Sequence, residues 1–242
     1  IQLRDMTGVI QLTLLKKKLD KEKFKNWTNI NRESVVLVRG IVKENKEAPG
    51  GVEMLPDNIE LLNEAETPLP LGVIDKIDSE IETRLNARYM DLRKKDIAAH
   101  FQIRAAVSGA VHKHLRREKF LEVQTPKIIA SATEGGTSLF EMKYFDRTAY
   151  LAQSPQLYKQ ILMGGGLERV YEVGPAFRAE EHNTPRHLNE FISIDIEMSF
   201  ADDVVVMGVM ERLVDSVSRA AAKETEAIEI LDIKPIELEL PL

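Results

Sequence analysis

From Glu190 to Phe200 the chain alternates between two kinds of side chain. Ile192, Ile194, Ile196 and Met198 fall on one parity, and Phe191, Ser193, Asp195 and Glu197 fall on the other. A period of two places each set on its own face of a β-strand. The stretch Val170–Arg178 reads as the strand before it, joined to Asn189–Phe200 by a polar loop. Arg178 and Glu180 are two residues apart and project together. A hairpin of these strands gathers a guanidinium, several carboxylates and an aromatic ring onto one floor. Such a floor can stack a purine and grip a phosphate through charge-assisted hydrogen bonds. The same row also suits an exposed sheet face with cross-strand ion pairs.

The segments around this hairpin set an α+β organisation. Ile1–Arg4, Val9–Leu14, Val35–Lys43 and Ile59–Leu62 are rich in β-formers, with Thr7-Gly8 as a tight turn and Asp20–Trp27 as a short helix. Several short strands with one helix suit a small barrel of the oligonucleotide-binding type, or another small β-domain. Thr67-Pro68-Leu69-Pro70-Leu71-Gly72 is a natural boundary. Ser79 and Glu82 form a capping-box pattern for a helix through Arg93 that carries Arg84, Arg88 and Arg93. From Asp96 a long amphipathic helix sets Ile103, Val107, Val111 and Leu115 at four-residue spacing. His112–Arg117 concentrates charge at its end, as a solvated face or as a patch facing RNA or a partner. Phe120–Pro126 reads as a strand stopped by proline, and Tyr150–Gln153 as another. Ser154 and Pro155 read as the N-cap and first position of a helix closed by Gly164–Gly166. Asp202–Glu226 reads as a helix with Met210, Leu213, Val214 and Val217 on its apolar side, and Ile228–Leu242 as a half-buried strand.

Two further groups of residues carry chemistry. Gln156 and Lys159 share a helix face and offer an amide and a fixed positive charge to a small dicarboxylate, or simply to water. Thr133-Glu134-Gly135-Gly136-Thr137 is a glycine-rich loop suited to a lid, with Glu134 able to bind a cation or an amine. No Gly-Lys-Ser/Thr follows it, so it is not a Walker A loop.

Composition narrows the class. The formal net charge is −6, with 43% hydrophobic and 30% charged residues, as in an ordinary soluble globular protein. Mild acidity argues against an overall basic nucleic-acid binder but leaves room for a local basic groove. Cysteine is absent, which excludes disulfides and thiolate metal sites and fits a reducing compartment. No apolar run is long enough to span a bilayer, and no secretory leader pattern opens the chain. The first residue is Ile1 rather than Met, so an internal piece of a longer chain is expected.

These motifs together resemble a known family. Phe120-Leu121-Glu122-Val123-Gln124-Thr125-Pro126 is similar to motif 1 of class II aminoacyl-tRNA synthetases. Phe177-Arg178-Ala179-Glu180, the loop to His187 and Phe191 are similar to motif 2. Ala132–Gly136 with Gln153-Ser154-Pro155-Gln156-Leu157-Tyr158-Lys159-Gln160 resembles the aspartyl-tRNA synthetases, and Phe177–Asn189 resembles their archaeal and eukaryotic branch.

The resemblance implies an N-terminal OB-type β-barrel over residues 1–66 that reads the anticodon and a hinge over 67–95. A class II antiparallel sheet flanked by helices would then occupy 96–242. It implies formation of aspartyl-adenylate from L-aspartate and ATP, then transfer to the 3′ end of tRNA, by a cytoplasmic homodimer with no membrane role. By the same resemblance Arg178 holds the α-phosphate and the substrate carboxylate, Glu180 meets the adenine amino group or the tRNA end, His187 reaches the terminal phosphates, and Phe191 stacks on adenine. Lys159 pairs with the aspartate side chain, and Gln156, Asp195 and Glu134 hold its α-amino group. Gln11 and Glu60 match anticodon-contacting positions.

Lys159 favours aspartate over asparagine, because a buried ammonium facing a neutral amide lacks a counter-charge. An asparaginyl synthetase, an amidating relative and a non-catalytic RNA-binding paralogue are the other readings. The barrel argues against the amidating relative, which needs no anticodon module. The family's motif 3, a glycine-rich stretch ending in arginine, is not found before Leu242. The ligands of Mg²⁺ are therefore expected beyond that residue, and the chain alone is expected to make adenylate poorly.

Overall fold

In the computed structural model, which describes residues 1–73, 79–131, 139–181, 184 and 187–239, the Thr7-Gly8 turn joins β1 (Gln2–Asp5) to β2 (Gly8–Leu12). Asp5 Oδ1 accepts from Thr7 N at 2.7 Å and Thr7 Oγ1 at 2.6 Å, and Gly8 takes φ 145°. Asp20 then caps α1 (Lys21–Thr28) by accepting from Lys23 N at 2.7 Å. β3 (Val35–Glu44) pairs antiparallel with β4 (Val52–Asn63). β4 starts seven residues earlier than its β-formers suggest, because the Pro49–Gly51 turn delivers the chain straight into the ladder. The order is β1-β2-β4-β3, with β2 and β4 parallel. Leu12, Trp27 and Ile59 are buried between sheet and helix, each contributing about 1.5–3 kcal/mol.

Two short helices follow, α2 (Ile81–Asn86) and α3 (Arg88–Asp91). They replace the single capped helix expected through Arg93. Glu80 is the N-cap and makes no side-chain cap bond, and the chain breaks at Ala87, with φ −112° and ψ 40°. The break lets the fully buried Asp91 take Arg84 at 3.0 Å and Arg88 at 2.5 Å. Leu71, Ala87 and Met90 form a small core here. The chain divides into two compact units, Ile1–Asp91 and Leu92–Leu242.

In the second unit α4 (Lys95–Arg117) buries Ala99, Val111 and Leu115. His114 is buried as well and His112 is half-buried, so the end of α4 is not simply a solvated face. The motif-1 strand is only β5 (Leu121–Glu122), parallel to the strand that precedes the motif-2 loop. β6 (Ile128–Ile129), β7 (Glu141–Tyr144) and β8 (Arg147–Leu151) make a small antiparallel sheet in the order β6-β8-β7. α5 (Gln156–Gly164) starts one residue later than expected: Pro155 is the N-cap, while Ser154 Oγ accepts from Gln156 N at 3.2 Å. β9 (Arg169–Phe177) and β10 (Glu190–Met198) form the long hairpin, in the order β10-β9-β5. α6 (Asp203–Ala221) and α7 (Thr225–Leu231) close the unit.

The core here is Val111, Leu115, Phe120, Tyr171, Val209 and Leu213, with Val173, Ile196, Met198 and Val217 packed on it. The apolar row of β10 is therefore used only in its second half. Ile192 and Ile194 stay 48% and 43% exposed, and β10 lies at the sheet edge among the described residues. On α6, Leu213 and Val217 face inward as expected, but Met210 and Val214 are exposed, and Val209 takes the inner place. The helix expected through Glu226 stops at Ala221, and the turn lets Ala227 of α7 bury against α4. The expected C-terminal strand does not form over 233–239, where no described strand lies alongside to complete a ladder.

Candidate active site

β9 and β10 pair so that Phe191 stands opposite Ala176, Ser193 opposite Gly174, and Asp195 opposite Glu172. Directly opposed residues share a face. The floor therefore carries Glu172, Gly174 and Ala176 from one strand and Phe191, Ser193, Asp195 and Glu197 from the other. Phe191 and Asp195 lie about 13 Å apart along the strand.

Lys159 reaches this floor from α5. Its side chain is 3% exposed. Nζ donates to Ile196 O at 3.2 Å and lies 3.5 Å from Asp195 Oδ1 and 3.3 Å from Glu197 Oε2. Asp195 also accepts from Ser193 Oγ at 2.5 Å. The ammonium is thus buried, with its charge balanced by acids of the floor. Gln156 is half-buried on the first turn of the same helix.

Arg178 follows β9, just past the ladder, with its N–H donating to Asn189 O at 3.0 Å. Its guanidinium lies 5.3 Å from the centre of the Phe191 ring, a cation–π contact. Arg178 Nε is buried and has no hydrogen-bond partner among the described residues. A buried donor left unsatisfied is unfavourable, so this atom is ready for an anionic ligand. Glu180 lies beyond the strand and faces His187, Oε2 to Nε2 at 3.9 Å, while His187 Nδ1 sits 2.6 Å from Thr184 Oγ1. Glu134 lies outside the described residues. Gln11 and Glu60 belong to the first unit. Gln11 Nε2 donates to Thr13 Oγ1 at 3.3 Å and stands opposite Glu53, whereas Glu60 is seven residues further along β4 and exposed.

Sequence reasoning missed Glu172. It is 1% exposed and accepts from Thr125 N at 3.1 Å, Thr125 Oγ1 at 2.7 Å and Lys127 Nζ at 2.7 Å. Lys127 O in turn accepts from Ala152 N at 2.9 Å, and Ala152 O from Phe177 N at 3.0 Å. The segment around Pro126 is therefore tied to the entry of α5 and to the base of Arg178. The available signal was parity, since Glu172 is three steps of two before Arg178.

Residues 80–240 match the family model of the class II tRNA synthetases for D, K and N, and residues 1–62 match that of the OB-fold nucleic acid binding domain. The chain belongs to the class II tRNA synthetases. The expected N-terminal OB fold followed by a class II sheet with flanking helices is borne out. The chain is 55% identical over its whole length to the "Aspartate--tRNA(Asp/Asn) ligase" of Methanopyrus kandleri, covering 56% of that protein. It thus spans a little over half the length of the curated relatives it matches. Asparaginyl-tRNA synthetase from Pyrococcus horikoshii, solved with asparaginyl-adenylate, superposes with a TM-score of 0.87 at 32% identity, over 95% of this chain and 52% of that one. Aspartyl-tRNA synthetase from Entamoeba histolytica does so with a TM-score of 0.80 at 30% identity, over 98% and 51%. Aspartyl and asparaginyl enzymes share this fold, so the amino acid is decided by side chains.

Proposed function

We propose that this chain is the anticodon-binding part and much of the catalytic part of an aspartate–tRNA ligase. Residues 1–66 form the anticodon module, 67–95 the hinge and 96–242 the synthetase domain. The observation that carries the reading is the buried Lys159, set among Asp195, Glu197 and Ile196 O on the sheet whose far end carries the Arg178–Phe191 pair.

The α-carboxylate of aspartate attacks the α-phosphorus of ATP and pyrophosphate leaves. A hydroxyl of the terminal ribose of tRNA then attacks the aspartyl carbonyl of the adenylate, the mixed anhydride breaks, and AMP leaves. Arg178 holds the α-phosphate and the attacking carboxylate, and its fixed charge stabilises the negative charge that builds in the transition state. Phe191 stacks on the adenine, Glu180 meets its amino group or the tRNA end, and His187 reaches the terminal phosphates. Asp195, with Gln156 and Glu134, receives the α-ammonium. As Asp195 turns to that ammonium, Lys159 keeps Glu197 and gains a donor for the side-chain carboxylate of aspartate. Gln11 and Glu60 contact the anticodon.

Mg²⁺ accompanies ATP in this reading. Among the described residues no group of three or more His, Asp or Glu is placed to hold a metal ion. Those residues do not fit a metal set, and none of the steps above runs through one. A homodimer joined through Phe101–Pro126 is part of the proposal, supported by the exposure of Phe101 and Leu121. A cytoplasmic location is part of it too, supported by the absence of cysteine. No described helix is long and apolar enough to cross a membrane.

The test is ATP–pyrophosphate exchange by the protein that carries this chain at the length of its relatives. Exchange should depend on aspartate. Glu197 at 3.3 Å already balances Lys159 in part, which gives asparagine its best case. Exchange driven by asparagine and not by aspartate overturns the substrate reading.

A further inference from the structure

Residues 16–25 contain six lysines, Lys16, Lys17, Lys18, Lys21, Lys23 and Lys25, against two acids, Asp20 and Glu22. All six lysines are exposed. Asp20 is committed to capping α1. None of the six makes an ion pair among the described residues. Lys16 instead lies over the Phe24 ring at 5.9 Å. The core contribution of this helix comes from Trp27, not from any lysine. Lys21 and Lys25 are like charges at i, i+4, which is unfavourable on a helix. Apart from that Lys16–Phe24 contact, the lobe therefore carries like-charge repulsion with no compensating ion pair among the described residues, in a chain whose net charge is −6.

We infer that Lys16–Lys25 is a docking lobe for the sugar–phosphate backbone of tRNA, separate from the base-reading positions Gln11 and Glu60. This rests on the tRNA reading proposed above. Three observations favour RNA as the occupant. The lobe lies inside the span matching the OB-fold nucleic acid binding domain. Lysines are compact charges on flexible stems, suited to phosphates rather than to base edges. Between Lys16 and Lys25 no large apolar side chain is among the exposed ones, whereas a membrane-surface helix needs such an apolar face. The lobe also follows Gln11 by only five residues, so a nucleic acid held at one is close in sequence to the other.

The experiment uses the 242-residue chain and an aspartate tRNA transcript, with affinity measured by fluorescence anisotropy from 50 to 200 mM KCl. Two variants are compared with the parent: K16Q/K17Q/K18Q and K21Q/K23Q/K25Q. Circular dichroism should be unchanged in both, because every altered side chain is exposed. Each phosphate deprived of its lysine should lower the slope of log affinity against log salt by about 0.7–0.9. At least one variant should therefore lose about one to three units of slope and bind roughly tenfold or more weakly at low salt. Discrimination between matched and altered anticodons should persist. If the parent binds tRNA with a steep salt slope that both variants keep, the lobe does not touch the RNA, and the tRNA reading stands. If the parent does not bind tRNA at all, that reading falls and the lobe falls with it. Lysine-dependent binding to vesicles of phosphatidylcholine and phosphatidylserine (4:1), with tRNA affinity unchanged, also overturns the inference.

Discussion

Glu172 stands directly across the β9–β10 ladder from Asp195, yet each carboxylate answers to a different lysine. Lys127 holds Glu172 at 2.7 Å, and Lys159 lies 3.5 Å from Asp195. Opposed like charges would push the strands apart without these cations. Lys127 arrives from the bend just before β6 and Lys159 from α5, so the two pairs bind the floor to its surroundings.

Glu172→Ala should lower the stability of the second unit by about 3–5 kcal/mol, because it strands Lys127 and removes three bonds from a buried site. Glu172→Gln, which keeps one acceptor oxygen for Thr125 N and offers its NH2 to Thr125 Oγ1, should lose less. Urea denaturation followed by circular dichroism measures both. An equal loss in the two variants would show that the carboxylate charge is the whole effect.

Arg178→Ala should leave the fold nearly intact, since the residue lies past the ladder and its Nε makes no bond that would be lost. It should reduce aspartate-dependent exchange by about 3 kcal/mol, a factor near 100 or more. Near-normal exchange would contradict its assigned role.

Gly40→Ala should damage the first unit. A Cβ at Gly40 would stand 2.7 Å from Pro56 Cα, with the Leu55 carbonyl oxygen closer still. Both neighbours are backbone and cannot swing aside, so the penalty should be about 1–3 kcal/mol or greater. A thermal scan of the variant checks it; an unchanged midpoint would mean that β3 and β4 can separate locally without loss.

His114 should make stability depend on pH. Burial pushes its imidazole below the usual histidine value, and neither ring nitrogen has a partner among the described residues. Above about pH 6.5 the folded and unfolded chains both hold it neutral. As pH falls below that, the unfolded chain takes up a proton that the folded chain resists, so stability declines. His114→Leu should gain stability relative to the parent between pH 7 and 5. A constant difference across that range would refute the buried-neutral assignment.

The long hairpin was legible because nine residues keep one period and nothing interrupts them. The helix bearing Lys159 was legible from its proline and glycine boundaries. Other features depend on partners that no local pattern records. Asp91 breaks a helix in order to collect Arg84 and Arg88, and a capping-box pattern cannot announce that. The alternation of Ile236, Leu238 and Leu240 suggested a strand; over the described 233–239 none forms, because a strand exists only where another lies beside it, and Leu240 lies outside the described residues. Ile192 and Ile194 have the same chemistry as Ile196, yet only Ile196 meets the core. Glu172 looked like one more strand residue until Thr125 and Lys127 closed on it from 45 or more positions away.

β10 leaves a practical mark on the isolated polypeptide. Its outer margin carries main-chain groups with no ladder partner among the described residues, and an oily half-row beside them. That combination is a template onto which a second molecule can zip. Self-association along this margin should therefore set a limit on the usable concentration of the isolated polypeptide. A lysine in place of Ile192 should raise the ceiling.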